Sequence, residues 1–88
     1  DGYTLEQNFP NPFCGKTNIS FEIPNNAFVS LKVYNLLGTE IEELAGREYS
    51  SGKHSVEFDM KNLAKGIYIY TLKAGKLSGS RKMIIQEK

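Results

Sequence analysis

Apolar and polar residues alternate along most of this chain, and that alternation, rather than any helical period, organises it. In Asn18-Ile19-Ser20-Phe21-Glu22-Ile23 every second residue is apolar, the pattern of a strand with one buried face. Pro24 ends it, because a residue without an N–H cannot extend an interior ladder. After a turn centred on Asn25-Asn26 the pattern returns in Val29-Ser30-Leu31-Lys32-Val33-Tyr34 and stops at Leu37-Gly38, where glycine accepts the φ > 0 geometry of a tight turn. Residues 39–44 fit a strand and a helical turn equally well. A turn over residues 49–52 leads to Lys53-His54-Ser55-Val56-Glu57-Phe58, which sets His54, Val56 and Phe58 on one side and Ser55 and Glu57 on the other.

Ile67-Tyr68-Ile69-Tyr70-Thr71-Leu72 is apolar on both faces at first, which predicts a strand in the middle of a sheet and covered on both sides. Ala74-Gly75-Lys76 reads as a hairpin turn, Ser78-Gly79-Ser80-Arg81 as a polar approach, and Met83-Ile84-Ile85 as the closing strand. Turn signals recur about every 8–12 residues, so the expected fold is all-β, a small antiparallel immunoglobulin-like β-sandwich of about seven strands. Leu63-Ala64-Lys65-Gly66-Ile67-Tyr68 places a tyrosine second in a strand after a corner, and Tyr68 is the expected tyrosine corner, its hydroxyl bonding back to that corner.

Composition narrows the function. With 88 residues the chain is read as a single domain, 1–88, with one core. It buries roughly two thirds of its unfolded surface. Eleven basic residues against ten acidic ones leave a net charge of +1, so there is no strong field for nucleic acid or an anionic membrane. One Cys excludes an internal disulfide, and one His excludes His-rich metal cages and most catalytic triads. No run approaches the roughly 20 apolar residues of a membrane span, and Asp1-Gly2-Tyr3 lacks the features of a signal peptide. Without an initiating Met the chain reads as a fragment of something longer, cut at a domain boundary. These observations argue against an enzyme, a cofactor or a metal.

Individual candidates have plainer readings. His54 has no acidic partner at a defensible spacing and reads as packing or surface. Glu40, Glu42 and Glu43 alternate with Ile41 rather than with oxygen ligands about a glycine, so they read as a solvated edge. Cys14 lacks a base and reads as inert. Asn18-Ile19-Ser20 matches the glycosylation sequon but falls in a predicted strand. Phe13, in Asn11-Pro12-Phe13, reads as a core residue whose preceding proline sets the angle of the chain. A carbohydrate-binding or structural accessory module is the alternative function, with Tyr34, Tyr68 and Tyr70 as the available aromatic platform, although no Trp is present.

The segment Leu5-Glu6-Gln7-Asn8-Phe9-Pro10-Asn11-Pro12-Phe13 is too dense in turn residues for a generic strand, and its two X-Pro units hold Phe9 and Asn11 extended, as a rigid crossing. Here the chain resembles the type A C-terminal sorting domain of the type IX (Por) secretion system of Bacteroidetes and related bacteria. Further boxes in the same order carry the resemblance: Thr17-Asn18-Ile19-Ser20-Phe21-Glu22-Ile23-Pro24, Val29-Ser30-Leu31-Lys32-Val33-Tyr34-Asn35-Leu36-Leu37-Gly38, Gly52-Lys53-His54, Leu63-Ala64-Lys65-Gly66-Ile67-Tyr68-Ile69-Tyr70 and Lys82-Met83-Ile84-Ile85. Two positions depart from the family pattern. Cys14-Gly15 stands where the first box usually continues with Asn-Pro, which predicts a looser turn, and Gln86-Glu87-Lys88 follows where the family ends on aliphatic residues and a lysine.

The resemblance implies a non-catalytic address label on an N-terminal cargo domain in the same chain, which passes through the periplasm and outer membrane to become secreted or displayed at the cell surface. The implied partners are the outer-membrane translocon, its shuttle protein and a sortase that cuts upstream of Asp1. By resemblance, recognition is carried onto Lys82, Met83, Ile84 and Ile85, with Gly66 and Tyr68 from the Gly-x-Tyr box. Lys82 and the exposed backbone of the edge strand are expected to matter most, since an open strand edge and a charge are both readable by another protein.

Overall fold

The computed structural model describes residues 3–86. Seven strands follow one another: β1 (Thr4–Leu5), β2 (Lys16–Ile23), β3 (Ala27–Tyr34), β4 (Glu40–Tyr49), β5 (Gly52–Asp59), β6 (Gly66–Ala74) and β7 (Leu77–Ile85). They form a three-stranded sheet in the order β1-β2-β5 and a four-stranded sheet in the order β4-β3-β6-β7, with every strand pair antiparallel. This is the expected immunoglobulin-like sandwich. The alternating residues of the facing sheets meet in one core: Ile19, Phe21, Ile23 and Phe58 from one side, Val29, Leu31, Val33, Tyr70, Leu72, Met83 and Ile85 from the other.

Strands β2, β3, β5 and β6 fall where the alternation places them, and β2, β3 and β5 bury the expected face. Of residues 39–44, those from Glu40 onward form the start of β4. Their period is ambiguous because the register against β3 shifts twice, so that Leu44 and then Ile41 have no partner and period 2 is broken. The polar stretch 78–81 is not an approach but the body of β7. Its inward positions carry no hydrophobe because they meet Tyr3 and β1 at the flank of the sandwich. At Gly79 a Cβ would come within 2.9 Å of the Tyr3 hydroxyl, and Arg81 donates from Nε to the Leu5 carbonyl at 2.6 Å.

Strand β6 lies inside its sheet, as expected, but it is covered on one face only. Tyr68, Tyr70 and Leu72 are buried, whereas Ile67 is 42 % exposed on the outer face. The tyrosine corner is present: the Tyr68 hydroxyl donates to the Ala64 carbonyl at 2.8 Å.

The N-terminal box closes one flank. Phe9 pairs with Asn18 on β2, and four residues later Phe13 pairs in parallel with Ile85 on β7, so the segment steps from the edge of one sheet to the edge of the other. Phe13 is a core residue, edge-on to Phe58 at 6.1 Å between ring centroids. The turn that follows is not loose. The Gly15 carbonyl accepts the Met60 N–H at 2.8 Å, and the Gly15 N–H donates to the Met60 sulfur at 3.1 Å.

Candidate functional site

The terminal motif of β7 divides by parity. Met83 and Ile85 point inward and are 0 % and 2 % exposed, while Lys82 and Ile84 stand on the outer face, with Ile84 38 % exposed. Tyr68 faces inward opposite Met83, and Gly66 pairs with Ile85. Gly66 holds φ = 147°, a backbone conformation that side chains disfavour, so its place in the motif is explained by the start of β6. Of the six residues singled out in the sequence, only Lys82 and Ile84 offer side chains to another molecule.

The edge of β7 is not open either. The Ile84 N–H donates to Asn11 Oδ1 at 2.9 Å, and its carbonyl accepts the Phe13 N–H at 3.0 Å. Both groups of Ile84 therefore turn away from β6, and alternate residues back along the strand must do the same. At Lys82 the carbonyl accepts Gln7 Nε2 at 2.6 Å, and beyond Ile84 the Gln86 N–H donates to the Phe13 carbonyl at 2.7 Å. Arg81 adds an inward-turned charge, another recognised way to blunt an edge. The expected exposed backbone at the terminal motif is thus largely occupied by the chain's own N-terminal box, a pairing across more than 70 residues that no local pattern announces.

The box is itself held from below. The Asn8 N–H donates to the Tyr70 hydroxyl at 2.8 Å, and that hydroxyl donates to the Glu6 carbonyl at 2.7 Å. Burial raises the Tyr70 pKa above the ordinary tyrosine value, opposed by the Asn8 N–H bond and by Arg81. Asn8 Nδ2 and the Thr17 hydroxyl both donate to the Pro10 carbonyl, which fixes the following turn.

What remains to be read is the outer face of the four-stranded sheet. Tyr34 is paired with Ile69, Ile69 with Lys82, and Ile67 with Ile84, so these side chains form adjacent rows across three strands. A shallow groove lined by Gln7, Ile69, Ser80, Arg81 and Lys82 borders them. A second cleft, of about 630 Å³, lies at the far end of β7 between the 24–26 turn and the β6–β7 hairpin; among the described residues Lys76 is the one charged residue in its lining.

The remaining candidates take structural places. His54 is half-buried, 4.8 Å from the Tyr49 ring and 5.5 Å from Phe21, with Nε2 2.7 Å from the Ser50 carbonyl. Glu40 pairs with Lys32 and Glu42 with Lys61, each at 3.4 Å on an exposed edge. The tyrosine platform does not form, because Tyr68 and Tyr70 are turned into the core and Tyr34 alone stands outside. Among the described residues no group of His, Cys, Asp and Glu side chains could hold a metal ion.

A sandwich with a sealed flank, a tyrosine corner and one readable sheet face defines a small immunoglobulin-like β-module. A model of the secretion system C-terminal sorting domain matches residues 7–86, and the chain belongs to that family. Its membership makes it a sorting domain of type IX secretion, the system that carries proteins to the cell surface or beyond. A search of the curated proteins finds no match.

Proposed function

We propose that this domain directs a cargo joined to its N-terminal side through the type IX outer-membrane translocon, with a shuttle protein and a surface sortase acting after it. On this reading residues 1–88 are one sorting unit within a longer secreted protein. The observation that carries the proposal is the match of residues 7–86 to the sorting family, together with Lys82 and Ile84 of the terminal motif standing on the outer face. Lys82 and Ile84 touch the apparatus, whereas Met83, Ile85, Gly66 and Tyr68 hold the strand that presents them.

The test is a periplasmic reporter fused to residues 1–88 in a bacterium with a type IX system, beside a fusion ending at residue 81. Removing residue 82 onward also removes Met83 and Ile85 from the core, so a third fusion carries only Lys82→Glu. Export of the first and periplasmic retention of the truncated fusion are expected, with Lys82→Glu exporting less than the wild type. A wild-type fusion that stays in the periplasm overturns the proposal.

A further inference from the structure

The outer face of the four-stranded sheet changes character along its length. Toward the hairpin end, where Phe28 stands exposed at the start of β3, the rows across β3, β6 and β7 read Ser30, Lys73, Ser78 and then Lys32, Thr71, Ser80, the polar surface expected of an antiparallel sheet with one wet face. The next row reads Tyr34, Ile69, Lys82, and the one after it Ile67, Ile84. Leu36, two residues beyond Tyr34, is 63 % exposed on the same end of the sheet. Isolated exposed hydrophobes need no explanation, but apolar side chains gathered in consecutive rows on three strands do. Tyr34 and Ile69 are half-buried here while Leu36, Ile67 and Ile84 are exposed, so packing within this molecule covers the group only in part.

We infer that this quadrant, Tyr34, Leu36, Ile67, Ile69 and Ile84 with Lys82 on its border, docks a protein of the export path that presents apolar side chains beside a carboxylate. The inference rests on the sorting role proposed above and names the surface through which it is read. The carboxylate follows from charge. Among the described residues no acid lies within ion-pair distance of Lys82, which stands beside the groove with Arg81, while the acids of the sheet are on its other side, Glu40 being opposite Tyr34. That polarity fits a partner with a local negative charge. It does not fit an extended anionic lipid surface, which would also meet Glu40 and Glu43, and the net charge of +1 gives no general attraction to one. The polar rows toward the hairpin bound the contact on the remaining side.

The experiment uses the exported reporter fusion with six single substitutions, and purified domains to follow melting and binding to vesicles of three parts phosphatidylcholine to one part phosphatidylglycerol. Ile67→Ser, Ile84→Ser and Lys82→Glu are expected to lower export at least about tenfold, the scale of losing a central contact residue. Lys73→Glu, in the polar rows, is expected to leave export unchanged, and Lys82→Arg is expected to restore most of it. Melting should stay near that of the wild type, and no variant or wild-type domain should bind the vesicles. If the wild type is exported and the three face variants are exported equally well, the docking surface is wrong and the sorting role stands. If the wild type is not exported, both fall. Vesicle binding by the wild type that is lost in the same variants overturns the protein partner in favour of a lipid surface. Should either serine variant fail to fold, Lys82→Glu and Leu36→Ser, both at exposed positions, decide the question.

Discussion

The two faces of β7 carry neighbouring residues of one short motif, yet they do different work. Met83 and Ile85 lie in the core shared by the two sheets and Phe13, whereas Lys82 and Ile84 stand on the exposed outer face. A family motif of this kind therefore mixes residues that make the surface with residues that are the surface. Without the sheet, the four positions cannot be sorted, since a one-residue shift of register would exchange their roles.

The comparison can be broken most severely from the inner face. Met83→Ala and Ile85→Ala each remove a fully buried side chain and should cost about 2–5 kcal/mol, read as a lowered urea midpoint. For a domain whose total stability is of the order of 5–15 kcal/mol, either variant also threatens export by unfolding, and that loss should track stability.

The next effect concerns the strap that closes the edge of β7. Tyr70→Phe leaves the buried Asn8 N–H and the Glu6 carbonyl without their shared partner and should cost about 1–3 kcal/mol. It should also change the response to alkali. Because burial raises the pKa of folded Tyr70, the unfolded chain gives up this proton first, so the stability it contributes is complete below about pH 10 and falls as pH rises through the folded value. Urea midpoints measured between neutral pH and pH 11 should therefore decline less in Tyr70→Phe than in the wild type. An equal decline would show that the hydroxyl is not buried as described.

The smallest effect on stability belongs to the outer face. Lys82→Glu should shift the unfolding free energy by no more than about 0.5 kcal/mol, because the side chain is exposed and makes no ion pair among the described residues. A large loss of stability there would mean that Lys82 is structural and that the two faces of β7 are not functionally distinct.

Much of this was readable from residue order. The alternation located β2, β3, β5 and β6, and the corner before Tyr68 identified its hydroxyl bond, since both are local properties of a half-buried strand. The sorting family was legible from the ordered boxes. The start of β4 was not, because two bulges at Leu44 and Ile41 erase the period that identifies a strand. Nor was the first half of β7, where Gly79 and Arg81 serve contacts with Tyr3 and Leu5 instead of filling a core.

By itself, then, the sequence determined the class of fold and the family, and it singled out the terminal motif. Only the tertiary structure decided which of its residues face outward. It closed the edge that appeared available by bringing Gln7, Asn11 and Phe13 against Lys82, Ile84 and Gln86, and it assembled Tyr34, Ile67, Ile69 and Ile84 from three strands into one surface. The reason is physical: periodicity reports which way a side chain points relative to its neighbours in the chain, whereas exposure and edge pairing are set by segments far away in sequence that happen to lie alongside.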